Sequence, residues 1–128
     1  MRLLLGTHTF LWFAAGDKRL PAAIRELIAD GTNDVYVSIA SLWEMAIKVS
    51  IGKLDLADNW MQLVDEVTRA NEIQWLPIEK THCQRLTTLP PLHGDPFDRL
   101  LIAQALSEGL TLMTADANIR QYDVPTLW

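Results

Sequence analysis

Short apolar runs alternate along this chain with longer segments of helical spacing, and that alternation constrains its fold more than any other feature. The runs occupy residues 2–5, 35–38, 73–78 and 110–114, with residues 124–127 as a short edge strand. Helices are expected over 9–14 and from Pro21 to about Asp30, where Asp30 and Gly31 stop the second. Ser38 caps a third that runs to Lys48 or Ser50 and ends at Gly52. Asp58 or Asn59 opens a fourth, with Trp60, Leu63, Val64 and Val67 at core-facing spacing. Two more are expected over 81–86 and from Asp95-Pro96 to about Glu108, the latter ended by Gly109. Strands alternating with helices predict a three-layer α/β fold, a mostly parallel sheet of four to five strands covered on both faces. A chain of 128 residues supplies one substantial core, so a single domain over 1–128 is expected.

In a parallel sheet the strand ends converge on one crevice, and residues far apart in sequence meet there. Three carboxylates sit at such places: Glu44 in SLWEMAIK, Asp98 in DPFDRLLIAQA and Asp116 in LTLMTAD. Converging carboxylates bind hard divalent cations. The first strand should deliver a fourth member at its own end, and Gly6 stands there instead. The pattern is that of a metal site with one ligand position lost.

Each residue also has a plainer role. Asp95 suits the N-cap of its helix, Pro96 the first helical position and Asp98 the third, where a carboxylate favours the helix dipole. Glu44 has Lys48 four residues on, the favourable order for a helical ion pair. Asp116 can cap the turn ANIRQY, and Thr114 can be a strand-end hydroxyl. Asp95 is assigned to the cap. Glu44, Asp98 and Asp116 are assigned to the site because they occur together.

The histidines His8, His82 and His93 show no zinc-ligand spacing, and only His8 is expected near the crevice. Glycine-rich phosphate loops of either common type are absent. Cys83, the only cysteine, excludes an internal disulfide and reads as a small buried or half-buried side chain in a reducing compartment. No apolar stretch approaches the roughly 20 residues of a membrane span, and the start of the chain turns polar too soon for a signal peptide, so a cytoplasmic location is expected. Core packing is expected for most of the five tryptophans, with some at a partner surface.

Taken together, MRLLLGTHTFLW, SLWEMAIKVSIGKL and DPFDRLLIAQALSEGLTLMTAD resemble the PIN-domain family, specifically VapC-type toxins of bacterial toxin–antitoxin modules, over essentially the whole chain. The resemblance implies a Rossmann-like sheet, RNA cleavage with Mg²⁺ or Mn²⁺, a homodimer and a small antitoxin protein as partner. By position, Glu44, Asp98 and Asp116 match the family's acidic residues and Thr114 its supporting hydroxyl. The family has aspartate at the position of Gly6, followed by Thr or Ser as in Thr7, so the departure at Gly6 implies impaired catalysis. Asp98 would then hold the metal most directly, Glu44 and Asp116 would orient its waters or a second ion, and Thr7 and Thr114 would steady the carboxylates. Lys48, Arg99 and Arg120 are candidate phosphate contacts. The segment around Leu11, Trp12 and Phe13 is expected to offer an apolar surface to an antitoxin or a second subunit.

The net charge of −5, from 16 acidic and 11 basic residues, argues against coating nucleic acid by bulk electrostatics while leaving local contact through a metal open. Two other classes remain. One is a catalytically inactive PIN-fold protein that docks an antitoxin or itself. The other is a phosphoacceptor receiver domain, which fits poorly because the strand IQWLPI ends without an aspartate.

Overall fold

Side chains alternate across a strand, so Leu3 and Leu5 of β1 (Arg2–Leu5) face one side of the sheet and Leu4 the other, and all three are fully buried. A strand apolar on both faces belongs at the centre of a parallel sheet. The computed structural model, which describes residues 1–128, places it there. After β1 the chain forms α1 (Thr7–Ala15), α2 (Ala22–Ala29), β2 (Asp34–Ser38), α3 (Ile39–Ser50), α4 (Trp60–Ala70) and β3 (Gln74–Leu76). It continues with α5 (Lys80–Leu86), α6 (Pro96–Glu108), β4 (Thr111–Met113), α7 (Ala117–Arg120) and β5 (Thr126–Leu127).

The sheet order is β3-β2-β1-β4-β5 with every pair parallel. From β1 the chain builds outward to β2 and β3, then returns to lay β4 and β5 on the other side. That reversal opens a crevice beyond the carboxyl ends of β1 and β4. Gly6 ties the two strand ends together there by donating its N–H to Met113 O at 3.0 Å.

Each face of the sheet carries its own core. Leu3, Leu5, Val35, Val37 and Met113 pack with Phe10, Ile24, Ile28 and Met45 on one side. On the other, Leu4 and Leu112 pack with Leu101, Ile102, Ala105, Ile119 and Tyr122.

Under the second layer runs a buried polar chain. Ser38 caps α3 by accepting Ala40 N–H at 3.0 Å and donates its hydroxyl to Gln104 Oε1 at 2.6 Å. Gln104 Nε2 donates to Pro77 O at 3.2 Å and lies 3.3 Å from His82 Nδ1, which also accepts Glu79 N–H at 3.0 Å. With Nδ1 accepting, the ring proton sits on Nε2, which lies 2.8 Å from Glu108 Oε1. Every buried side-chain polar atom is satisfied.

Four expectations change. β3 covers only Gln74–Leu76, because Pro77 has no N–H to give the ladder. In α4 the buried stripe is Val64 and Thr68, and Leu63, one residue round the helix, is 42% exposed. Cys83 is exposed on α5. Phe13 belongs to the core and Leu11 and Trp12 pack against it, so this segment turns most of its apolar surface inward.

A carboxylate cleft at the reversal of strand order

Four segments deliver side chains to the crevice. The turn after β1 brings Gly6 and Thr7, the middle of α3 brings Glu44, the start of α6 brings Asp95 and Asp98, and the end of β4 brings Thr114 and Asp116. They line one cavity of about 380 Å³, together with His8, Trp12, Arg19 and Lys48.

Glu44 is only 4% exposed, and both of its oxygens are engaged. Thr7 Oγ1 lies 2.7 Å from Oε1 and Lys48 Nζ lies 2.7 Å from Oε2. The helical ion pair and the cleft are thus one arrangement. Thr7 also stands 3.0 Å from Ser41 Oγ, which fixes its hydroxyl from α3.

Asp95 is the N-cap of α6, its Oδ1 accepting Phe97 N–H at 2.9 Å and Asp98 N–H at 3.0 Å. Pro96 occupies the first helical position and Asp98 the third. The Asp98 carboxyl is pushed above the usual carboxylate range, first by burial, then by the neighbouring charges of Asp95, Asp116 and Glu44, with a hydrogen bond from His93 opposing them. Four acidic groups crowd one place.

Asp116 caps the short α7, its Oδ1 accepting Asn118 N–H at 2.9 Å. Thr114 Oγ1 accepts Asp116 N–H at 3.0 Å, so this hydroxyl steadies the Asp116 backbone rather than a carboxylate. Thr7 alone of the two threonines touches a carboxylate of the set.

The position of His93 differs from expectation, since its Nε2 lies 3.2 Å from Asp98 Oδ2. Tyr122 decides its tautomer. The phenol oxygen accepts His93 N–H at 3.2 Å and Arg99 Nη1 at 2.9 Å, so its own proton goes to His93 Nδ1 at 2.8 Å. Nε2 therefore carries the ring proton of neutral His93 and donates to Asp98. Arg99 Nη1 donates to Tyr122 Oη and to Pro90 O, both at 2.9 Å, and Arg99 does not line the cleft.

Glycine at position 6 answers no backbone demand, because φ is −63° and ψ 160°, ordinary extended geometry and a suitable N-cap for α1. A Cβ there would meet Met113 O at 3.1 Å, Thr9 Oγ1 at 3.4 Å and Thr114 Cβ at 3.7 Å. A side chain fits if the Met113 carbonyl moves by a few tenths of an ångström.

The donors present are all oxygens and their charges converge, as a hard cation requires. Yet no three His, Cys, Asp or Glu side chains form a metal-holding cluster. Since Mg²⁺ keeps several waters and takes only one or two carboxylates, the set fits a hydrated cation and not a cage of direct carboxylate ligands.

Removing the Asp98 charge should relieve the crowding. Because the folded pKa is raised, the carboxylate penalises the native state fully above that pKa, and the penalty vanishes as pH falls below the unfolded value. Asp98→Asn is expected to raise the melting temperature of metal-free protein at neutral pH by about 2 °C, a loss of helix-dipole interaction keeping the gain small. The gain should shrink in scans run toward acid pH. A melting temperature lowered at neutral pH would show that Asp98 stabilises the fold.

The model of the PIN domain matches residues 3–125. Ribonuclease VapC22 of Mycobacterium tuberculosis (strain ATCC 25618 / H37Rv) is 28% identical over 133 residues, covering 98% of each chain. Among solved structures, VapBC2 from Rickettsia felis bound to a promoter DNA fragment superposes with a TM-score of 0.77 at 17% identity, covering 99% of this chain and 98% of that one. DNA-bound VapBC from Salmonella typhimurium gives 0.71 at 14% identity, covering 99% and 97%. These structures share the fold. With the match spanning every strand from β1 to β4 and both walls of the cleft, the chain belongs to the PIN-domain family.

Proposed function

We propose that this protein is an endoribonuclease toxin of a VapBC-type module, acting with Mg²⁺ or Mn²⁺ and weakened by glycine at position 6. The observation that carries the reading is that Glu44, Asp98 and Asp116 line one cleft, where burial first and then the charges of Asp95, Asp116 and Glu44 raise the Asp98 pKa. The similarity to Ribonuclease VapC22 supplies the substrate class. A divalent cation bound there supplies a nucleophilic water and neutralises charge on the phosphate.

The chain's own residues do the rest. His93 holds Oδ2 of Asp98, which leaves Oδ1 as the oxygen that would bind a cation. Thr7 and Lys48 hold the Glu44 carboxylate still, so that it orients water. Asp95 and Asp116, each capping a helix, fix the starts of α6 and α7 beside the cleft. The test is cleavage of a labelled RNA at high protein concentration. Slow Mn²⁺-dependent cleavage that EDTA and Asp98→Asn both abolish is expected. Cleavage surviving both treatments, or none from Gly6→Asp, overturns the reading.

A second reading is favoured by the absence of a three-ligand cluster: the chain docks its partners without turning over RNA. Partners in either case are a small antitoxin, as in the VapBC assemblies of similar fold, and a second copy of the chain. The residue we infer for the self-contact is Trp43, which is 56% exposed on α3 and set edge-on against Phe97 of α6 at 5.3 Å. Exposed tryptophans of this kind commonly anchor interfaces. Trp43→Glu is expected to weaken dimerisation by about 100-fold or more, read by sedimentation, with the melting temperature of the monomer little changed. An unaltered dimer would move the interface elsewhere.

A further inference from the structure

The cleft holds two basic side chains, and they differ in how free they are. Lys48 is committed to Glu44. Arg19 is held from one side only. Its Nε lies 3.1 Å from Asp17 Oδ1 and its Nη2 2.7 Å from Asp17 Oδ2, while the guanidinium carbon lies 4.9 Å from the centre of the Trp12 ring. The Nη1 edge meets no acceptor on the protein, and the side chain is 68% exposed.

An exposed ion pair ordinarily stabilises little, because holding two long side chains together costs entropy. Here that cost is met by the surroundings. Arg19 N–H donates to Asp17 Oδ1 at 2.8 Å, which closes the loop, and Trp12 is braced edge-on by Trp128 at 5.9 Å. Such a guanidinium is stacked, forked and aimed before anything binds, and pre-organised arginine suits phosphate. On a chain of net charge −5, a phosphodiester reaching Asp98 must find a local cation, while an acidic peptide would meet the same carboxylates with no group to place among them.

We infer that Arg19 holds a backbone phosphate of single-stranded RNA at the mouth of the cleft through its Nη1 edge. This rests on the ribonuclease reading above and assigns a substrate-holding residue to it. Asp17 and Trp12 act through Arg19, as positioning residues.

The test uses a fluorescent single-stranded RNA of about 12 nucleotides, long enough to span one ssRNA-binding groove, with binding to the protein followed by anisotropy in Mg²⁺ over a salt series. Arg19→Ala is expected to weaken binding roughly tenfold, as for the loss of one charge-assisted hydrogen-bonded contact, and to reduce the salt slope by about 0.7. Arg19→Lys should keep the slope and lose affinity, since the charge remains without the fork. Arg69→Ala, which removes the same charge beside a separate pocket, should change neither. In a Gly6→Asp background, Arg19→Ala should raise KM with kcat nearly unchanged. If Gly6→Asp cleaves RNA while Arg19→Ala alters neither slope nor KM, the strand enters elsewhere and this inference alone falls. If the chain binds no RNA and Gly6→Asp cleaves none, the functional reading falls and takes the inference with it.

Discussion

Gly6→Asp is expected to raise Mn²⁺-dependent RNA cleavage by about 10² to 10⁴-fold, the range a positioned charged or acid–base group contributes. The backbone at position 6 already has the geometry an aspartate needs, and its Cβ would point into the space bounded by Met113, Thr9 and Thr114. The same change should reverse its effect on stability when metal is added. Without divalent ions a new carboxylate joins a cleft where Asp98 already feels three acidic neighbours, and the Met113 carbonyl must give way. Against this stand a gain of about 0.4–1 kcal/mol from a less flexible unfolded chain and a few tenths from capping α1. The metal-free variant should therefore melt at or slightly below the parent temperature. At Mn²⁺ a hundredfold above its Kd, binding to the native state adds about 2.7 kcal/mol, or roughly 10 °C for a domain of this size. Paired melting curves and a cleavage assay read both effects. Equal metal shifts and equal rates in the two proteins would show that position 6 faces no cation.

The second large effect lies far from catalysis. Gln104 joins Ser38, Pro77 and His82 inside the layer beneath α6, so it links the cap of α3 to the loop after β3. Gln104→Leu keeps most of the volume but leaves the Ser38 hydroxyl proton without an acceptor and the Pro77 carbonyl without a donor, at an expected cost of about 2 kcal/mol. Gln104→Ala adds a cavity and should cost about 4 kcal/mol, lowering the melting temperature by more than 10 °C. Urea titrations of the two variants separate the polar from the packing contribution. A Leu variant as stable as the parent would mean that the chain of hydrogen bonds contributes nothing net.

The sheet and its helices were largely legible because apolar runs and Pro or Gly punctuation mark their ends. Pro96 and Gly109 bracket α6 as read, and Ser38 caps α3. Parallel topology and the joint occurrence of Glu44, Asp98 and Asp116 led to the expectation of a shared crevice, and all three line the cleft. What escaped were contacts made by loops. His93 lies in a segment without periodicity and reaches Asp98 only because Tyr122, far along the chain, fixes its ring. Arg19 escaped likewise, since its place in the cleft depends on Trp12 stacking beneath it. Leu63 was misplaced because on a narrow buried stripe a single step of 100° moves a side chain into solvent.

The placement of β1 between β2 and β4 has a consequence for how the protein is made. Leu3 pairs with Val35 on one side and with Thr111 on the other, partners 32 and 108 residues away. During synthesis the second edge of β1 stays open until β4 emerges, roughly 5–20 s later at ordinary elongation rates. Over that interval its leucines are exposed to chaperones and to other nascent chains. Contacts of such long sequence separation also slow the search for the native state. The cleft, whose walls come from both ends of the chain, assembles last.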